Sequence, residues 1–271
     1  VTLLVVGASG HLGGEVCRRA VAAGQRVVGT YHAHPGAPAG VEARRLDVTD
    51  RAAVRALVAA VRPAAVVSTP YRYADWTVTA DGAANVAYAA AEAGARLVHL
   101  SSDALHAGRP EPYADDDVPT PVFAYGAAKA AAETAVRVVD PGAALVRTSL
   151  IVGDERSRQV RLCLDALAGR GVLFTDEVRC PVDVGDLAAA VLELAASDHA
   201  GLLNVAGPDA VSRAELGLLV ARRFGLDPGG LRTATSAASG LVRPVEVRLD
   251  SSRAAGLLRT RLRGVAELLA P

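Results

Sequence analysis

The first fourteen residues, "VTLLVVGASGHLGG" (1–14), run from an apolar stretch straight into glycines. The run of Thr, Leu and Val reads as a strand buried on both faces. Gly7, Gly10 and Gly13 follow in G-x-x-G-x-x-G spacing, and helical periodicity begins at His11. Strand, glycine turn and helix in that order open a βαβ crossover. Glycines at such a turn let the backbone approach a pyrophosphate, and the helix that follows aims unpaired N–H groups at it. The spacing predicts a dinucleotide site at Gly7, Ser9, Gly10, His11, Leu12 and Gly13.

Outward from that turn, short Val- and Leu-rich runs at residues 2–6, 26–30, 43–46, 64–68, 96–100 and 143–147 alternate with Ala-rich stretches of helical period at 11–23, 50–61, 81–93 and 122–138. Crossovers between parallel strands are right-handed and must cover both faces. The alternation therefore predicts an α/β fold, a Rossmann-like doubly wound parallel sheet with ligands at the carboxyl ends of its strands. After Thr148 the rhythm loosens. "GDERSRQVRLCLDALAGRG" and "DVGDLAAAVLELAAS" read as helices, and "VSRAELGLLVARRFG" as a third, capped by Ser212 and closed by Gly225. "AHPGAPAG" and "SAASG" read as surface loops. The expected division is a dinucleotide-binding domain at 1–150 and a smaller, α-rich C-terminal substrate lobe at 151–271, with room for the two to interleave.

Composition narrows the function. At 271 residues, 51% hydrophobic and 21% charged, the chain can bury a sizeable core. A net charge of +0 supplies no global field for polyanions, which disfavours nucleic acid or an anionic membrane as main partner. Cys17, Cys163 and Cys180 lack C-x-x-C spacing, which suits buried thiols in a reducing compartment, and no metal-ligand spacing occurs. No apolar stretch reaches the length of a membrane span and no basic leader precedes the first strand, so the expectation is a soluble cytoplasmic protein. The absence of methionine, initiator included, suggests N-terminal processing or trimming.

In the common dinucleotide fold an acidic residue ends the second strand and binds the ribose 2′-hydroxyl; here that strand ends "VVGTYHAH". Without a carboxylate a 2′-phosphate meets no repulsion, which favours NADPH over NADH. Tyr31, His32, Arg44 and Arg45 are candidates to face that phosphate and are equally readable as loop residues. Asp47 and Val48, in "LDVTD", are candidates for the adenine edge, and Asp50 for the cap of the next helix.

Lysine and arginine together number 29, yet Lys129 is the one lysine, four residues after Tyr125 in "AYGAAKAAAE". Residues four apart share a helix face, so both side chains can reach one site. A tyrosine titrates near ~10, and a neighbouring ammonium lowers that value. Arginine would supply charge but stays protonated and is wide; a lysine head can hold ribose hydroxyls and still join a proton relay. A small donor to polarise a carbonyl is available at the end of the fifth strand, "ARLVHLSSD", where Ser101, Ser102 and Asp103 would reach the cleft.

With these parts in order, the chain resembles the extended short-chain dehydrogenase/reductase family, and within it is most similar to dTDP-4-dehydrorhamnose reductases and related sugar-nucleotide-binding proteins. The likeness runs nearly the whole length, through "VGASGHLG", "NVAYAAAEAGARLVHLSSD", "YADDDVPTPVFAYGAAKAAAE", "LVRTSLIVG", "PVDVGDLA" and "LNVAGPDAVSRAEL". The resemblance implies NAD(P)H-dependent hydride transfer to a ketone. Ser102 would bond the carbonyl, Tyr125 donate the proton, and Lys129 bind the nicotinamide ribose and tune the tyrosine. Family dehydratases place Glu after the Asp, whereas Ala104 stands here, which disfavours dehydration.

Two departures bear on substrate. "STPYRYADW" brings Tyr71, Tyr73 and Trp76 within six residues where family members carry small side chains. The aromatics and Arg72 suit substrate stacking and pairing as well as they suit a hydrophobic patch. In "DALHAG", His106 takes a place where the family tends to have an aromatic. Asp103, Tyr71, Arg72 and Arg179 join Ser102 as the expected substrate contacts. Arg147 and Arg248 are further candidate clamps for a diphosphate, and His99 reads as a satisfied core histidine. The expected partner is a small molecule, a sugar nucleotide first, bound by a monomer or homodimer. The alternatives are a non-catalytic cofactor-binding regulatory subunit and an NAD-dependent sugar-nucleotide epimerase.

Overall fold

Thr2–Val6 forms the centre of a sheet because both of its faces are covered. In a computed structural model that describes residues 1–270, Leu4 and Val6 join one apolar cluster with Val54, Val58, Val86 and Val136, while Leu3 and Val5 are buried on the opposite face. Side chains alternate along a strand, so a run without a polar position requires helices on both sides. Each such Leu or Val contributes about 1.5–3 kcal/mol when fully buried.

Among the described residues, β1 (Thr2–Val6), β2 (Arg26–Tyr31), β3 (Glu42–Arg45), β4 (Ala65–Ser68), β5 (Arg96–Leu100) and β6 (Ala144–Arg147) stand in the order β3-β2-β1-β4-β5-β6. Gly201–Asn204 lies outside β6 as the seventh strand. The ladders from β3 to β6 are parallel. The order reverses between β1 and β4, where Val6 is level with Ser68 and Ser68 with His99. The residues just past these three strands therefore emerge side by side at the topological switch point, where open α/β sheets bind ligands.

α1 (His11–Ala22), α2 (Arg51–Val61), α3 (Gly82–Glu92) and α4 (Ala124–Val139) follow the expected positions to within two residues. Asp50 caps α2, its carboxylate accepting from the Ala53 N–H at 3.0 Å. The entry to α3 is wider than an α-turn, with Thr77–Asp81 forming a π-helical turn. There the Thr79 hydroxyl accepts from the Arg72 N–H at 3.0 Å and donates to the Arg72 carbonyl at 2.9 Å. A period of 3.6 does not register that extra residue.

The chain divides into two compact units. The first comprises Val1–Ser102, Ala124–Arg147 and Ala188–Leu203; the second comprises Asp103–Phe123, Thr148–Leu187 and the segment from Asn204 on. In the second, α5 (Arg158–Leu167) and α7 (Arg213–Arg223) share a core of Val160, Cys163, Ala166, Leu216 and Val220; the helix α6 (Val184–Ala195) starts in the second unit and runs on into the first from Ala188. Ser212 starts α7 with a capping box. Its hydroxyl accepts from the Glu215 N–H at 3.1 Å, and the Glu215 carboxylate accepts from the Ser212 N–H at 2.7 Å. Gly225 ends it at φ +64°. Two-residue strand pairs, Ile151–Val152 with Val182–Asp183 and Val178–Arg179 with Val211–Ser212, add β structure to what reads in sequence as α-rich. Two residues are too few to show a period. No helix among the described residues is long and apolar enough to cross a membrane.

Candidate active site

Gly7, at φ +89°, turns the chain out of β1; a Cβ there would sit 2.5 Å from the Thr69 hydroxyl oxygen, just past β4. Gly13 is more tightly held, since its Cβ would stand 2.2 Å from the Gly7 carbonyl oxygen. Gly10 is the N-cap of α1 in extended conformation and supplies no side-chain cap, so the helix opens at the glycine turn without a capping side chain. Ser9 and Gly10 are exposed, and Leu12 turns its side chain into the core. Glycines where a Cβ cannot fit, an uncapped helix end and a switch-point position together fit a dinucleotide pyrophosphate.

Beyond this loop, at the carboxyl ends of β2 and β3, polar groups converge on His32. Arg72 Nη2 lies 3.4 Å from its Nδ1, Asp47 Oδ2 lies 3.6 Å from its Nε2, and Arg45 Nε donates to its carbonyl at 3.3 Å. Arg44 is instead paired with Glu42. Asp47 also accepts from the N–H of Thr49 at 2.9 Å and from its hydroxyl at 2.7 Å; these bonds hold its carboxyl below the ordinary range. Tyr31 is half-buried, while Val48 is buried and its carbonyl accepts from Asn85. The four candidates for a 2′-phosphate thus separate by geometry. His32 and Arg45 join Arg72 in one cluster, and Arg44 is committed elsewhere.

One face of α4 carries Tyr125, Lys129 and Glu133 at spacings of four. Lys129 is buried, and its ammonium donates to the Leu100 carbonyl at 2.7 Å, at the end of β5. Burial drives its pKa down from 10.5 to about 8, against an opposing pull from Glu133. Tyr73 stacks on Tyr125 with ring centroids 4.5 Å apart and 14° between planes, and Tyr71 lies tilted at 5.6 Å. The Tyr71 ring centroid is also 5.8 Å from the Lys129 nitrogen. Both added tyrosines stay partly exposed, as does Trp76. Ser102 is half-buried directly after β5.

Glu133 carries no functional expectation from sequence, yet it holds the centre of a buried network. Its carboxylate takes Arg147 Nε at 3.0 Å and Nη2 at 2.8 Å, and the Ser101 hydroxyl at 2.6 Å. Arg147 and Glu133 are 1% and 4% exposed at the side chain. Arg147 is therefore no diphosphate clamp; it is an internal partner of α4. The same-face rule that linked Tyr125 to Lys129 reaches Glu133 at the next step, so the signal was present. His99 is a core residue, as expected, but an unsatisfied one. Its ring nitrogens have no hydrogen-bond partner among the described residues, and burial pushes its pKa down to about 3.

In the second unit, Asp103 and Arg179 are turned inward. Asp103 accepts from the Ser149 hydroxyl at 2.7 Å and lies 3.7 Å from Arg179 Nε. Arg179 donates to the carbonyls of Val178, Val245 and Pro244 at 2.7, 3.0 and 2.6 Å. Both were expected to touch substrate, and both are instead committed to bracing their own unit; at 4% and 5% exposure they have little surface to offer. Arg248 pairs with Glu246, and His106 stacks on Tyr113 at 3.9 Å. A cavity of about 670 Å³ in this unit has Cys180, Ala206 and Leu249 on its wall, with Arg248, Arg259 and Arg261.

Comparison with known proteins bears on the family and the fold. The family model described as the RmlD substrate binding domain matches residues 1–270. The dTDP-4-dehydrorhamnose reductase of Mycobacterium tuberculosis is 30% identical over 255 residues, covering 87% of this chain and 79% of that protein. Methionine adenosyltransferase 2 subunit beta of Rattus norvegicus is 30% identical over 209 residues, 71% of this chain and 60% of its own. The crystal structure of dTDP-4-dehydrorhamnose reductase from Bacillus anthracis in complex with NADP superposes with a TM-score of 0.84 at 23% identity, covering 99% of this chain and 95% of that one.

Proposed function

We propose that this chain, which belongs to the RmlD substrate binding domain family, is an NAD(P)H-dependent ketoreductase acting on a nucleotide-linked sugar or a related small polar ketone. The observation that carries the reading is the position of the one lysine. Lys129 is buried behind Tyr125 on one helix face, bonded to the end of β5, with a glycine loop of dinucleotide type in the same unit.

The reduced nicotinamide, when bound, supplies the hydride. The chain's own residues do the rest. The Gly7–Gly13 turn and the N-terminal end of α1 would hold the pyrophosphate. Ser102 donates to the substrate carbonyl and draws charge towards its oxygen. Tyr125 gives that oxygen a proton, so ketone, hydride and proton together become an alcohol. Lys129, near its own midpoint at about pH 8, favours the phenolate left on Tyr125 and can pass it a replacement proton. Tyr71 and Tyr73 wall the approach to the phenol, which makes them candidates to stack on the substrate. NADPH is the favoured cofactor: β2 ends without a carboxylate, and Arg45 and Arg72 gather on His32 just past it, with Asp47 on the other nitrogen of the ring.

Likeness to the rat subunit favours a second reading, a cofactor-binding regulatory subunit. The presence of Ser102, Tyr125 and Lys129 together weighs against it, since a pure binder has no use for the proton relay. The test is cofactor titration followed by a panel of 4-keto nucleotide sugars, read as loss of reduced-nicotinamide absorbance. Wild type should oxidise NADPH with at least one of them. Tyr125→Phe should abolish turnover and bind NADPH within about three-fold of wild type. Binding without oxidation across the panel would favour the regulatory reading, and copurifying oxidised cofactor an epimerase.

A further inference from the structure

Lys129 is a cation with only 2% exposure, and the groups around it differ in charge. From α4 come Tyr125 and Glu133. From β5 come His99, kept neutral by burial, and the backbone carbonyl of Leu100 that takes the ammonium. Just past β5 stands the Ser101 hydroxyl, β6 supplies Arg147, and the segment after β4 supplies the ring of Tyr71. Glu133 is the one carboxylate in this set. Arg147 binds it through two nitrogens and Ser101 through a third bond, so its position is fixed from two strands at once. A buried ion pair of this kind adds little net stability, because desolvation offsets the attraction, whereas breaking it from one side is costly. Stability alone therefore does not explain an Arg–Glu pair where two apolar residues would pack.

We propose that Glu133, clamped by Arg147 and Ser101, is a positioning residue: it fixes the Tyr125–Lys129 face of α4 against β5 and β6 and governs how firmly Lys129 keeps its proton. The catalytic meaning of this rests on the reductase reading; the charge coupling itself does not. Arg147 has a double effect. It locks the carboxylate in place, and by occupying both oxygens it leaves Lys129 with Coulomb attraction but no direct salt bridge. The ammonium therefore bonds to Leu100 and remains able to exchange its proton.

Because the chain holds a single lysine, protein labelled with 13C-lysine gives one Cε resonance to follow across pH without substrate or cofactor. In wild type that resonance should titrate near pH 8. In Glu133→Gln the midpoint should fall by about one pH unit or more, as expected for removing a charge one helical turn away in a low-dielectric site. Should Glu133→Gln fail to fold, Glu133→Leu/Arg147→Met decides. It replaces the pair by packing residues, and its midpoint should fall relative to that of Arg147→Met, which lacks the same guanidinium, so that the difference isolates the Glu133 carboxylate. A midpoint in folded Glu133→Gln within a few tenths of wild type, or in the double variant within a few tenths of Arg147→Met, overturns the proposal and leaves the pair as packing. A wild type that titrates as expected but reduces no ketone would count against the reductase reading alone.

Discussion

Replacing Lys129 with methionine should stabilise the fold near neutrality while ending catalysis. The ammonium is 2% exposed, and burial lowers its pKa from 10.5 to about 8. Each pH unit between those values is worth about 1.4 kcal/mol, so holding the charged form in the fold costs about 3 kcal/mol at neutral pH. Below about pH 8 both folded and unfolded chains carry the proton and the cost is fully present. Between about 8 and 10.5 the folded chain releases it first, the unfolded chain binds more protons, and stability rises with pH. Methionine removes this cost but gives up the bond to the Leu100 carbonyl, about 1–2 kcal/mol. The net expectation is about 1–2 kcal/mol of added stability near pH 7, a few degrees in Tm for a chain of this size. Urea denaturation of both proteins near pH 7 and near pH 10 checks it, because groups common to both cancel in the difference. The advantage of the variant should shrink or reverse at the higher pH. A difference that does not change with pH would refute the charge argument, and so would a variant less stable near pH 7.

Gly13→Ala should lose dinucleotide binding, because the new methyl would have to sit 2.2 Å from the Gly7 carbonyl oxygen, a backbone atom that cannot yield; fluorescence titration with NADPH reads the loss, at least about ten-fold. Arg45→Ala combined with Arg72→Ala should weaken NADPH about ten-fold or more and leave NADH nearly unchanged, measured by parallel titrations. Equal loss of both cofactors would place those arginines on something other than the 2′-phosphate.

How much of the site was legible differs from residue to residue. Gly7, Gly10 and Gly13 declare themselves because a turn that excludes Cβ atoms must be written in glycine. Tyr125 and Lys129 declare themselves through helical spacing and the scarcity of lysine. Ser212 and Glu215 announce their capping box because it closes within one turn. The sequence left the aromatic cluster undecided; in the fold Tyr71 and Tyr73 lie against Tyr125, a contact made by residues more than fifty positions apart. Arginines were the least legible. In a chain that uses arginine for nearly all its positive charge, residue type does not separate a clamp from a brace. Only burial and partners do, and they turn Arg147 and Arg179 inward.

By itself the sequence determined what is local: a strand buried on both faces, the glycine turn that follows it, the helices by their period and caps, and the pairing of Tyr125 with Lys129. Those features arise from steric limits and spacings that act within a few residues. The tertiary structure decided what depends on distant segments meeting in a buried place. It set the proton affinity of Lys129, the partnership of Glu133 with Arg147 and Ser101, the neutral state of His99 and the convergence of Arg45 and Arg72 on His32. Burial strengthens charge interactions and removes the water that would otherwise satisfy them, so these properties exist only once the sheet and its helices have closed.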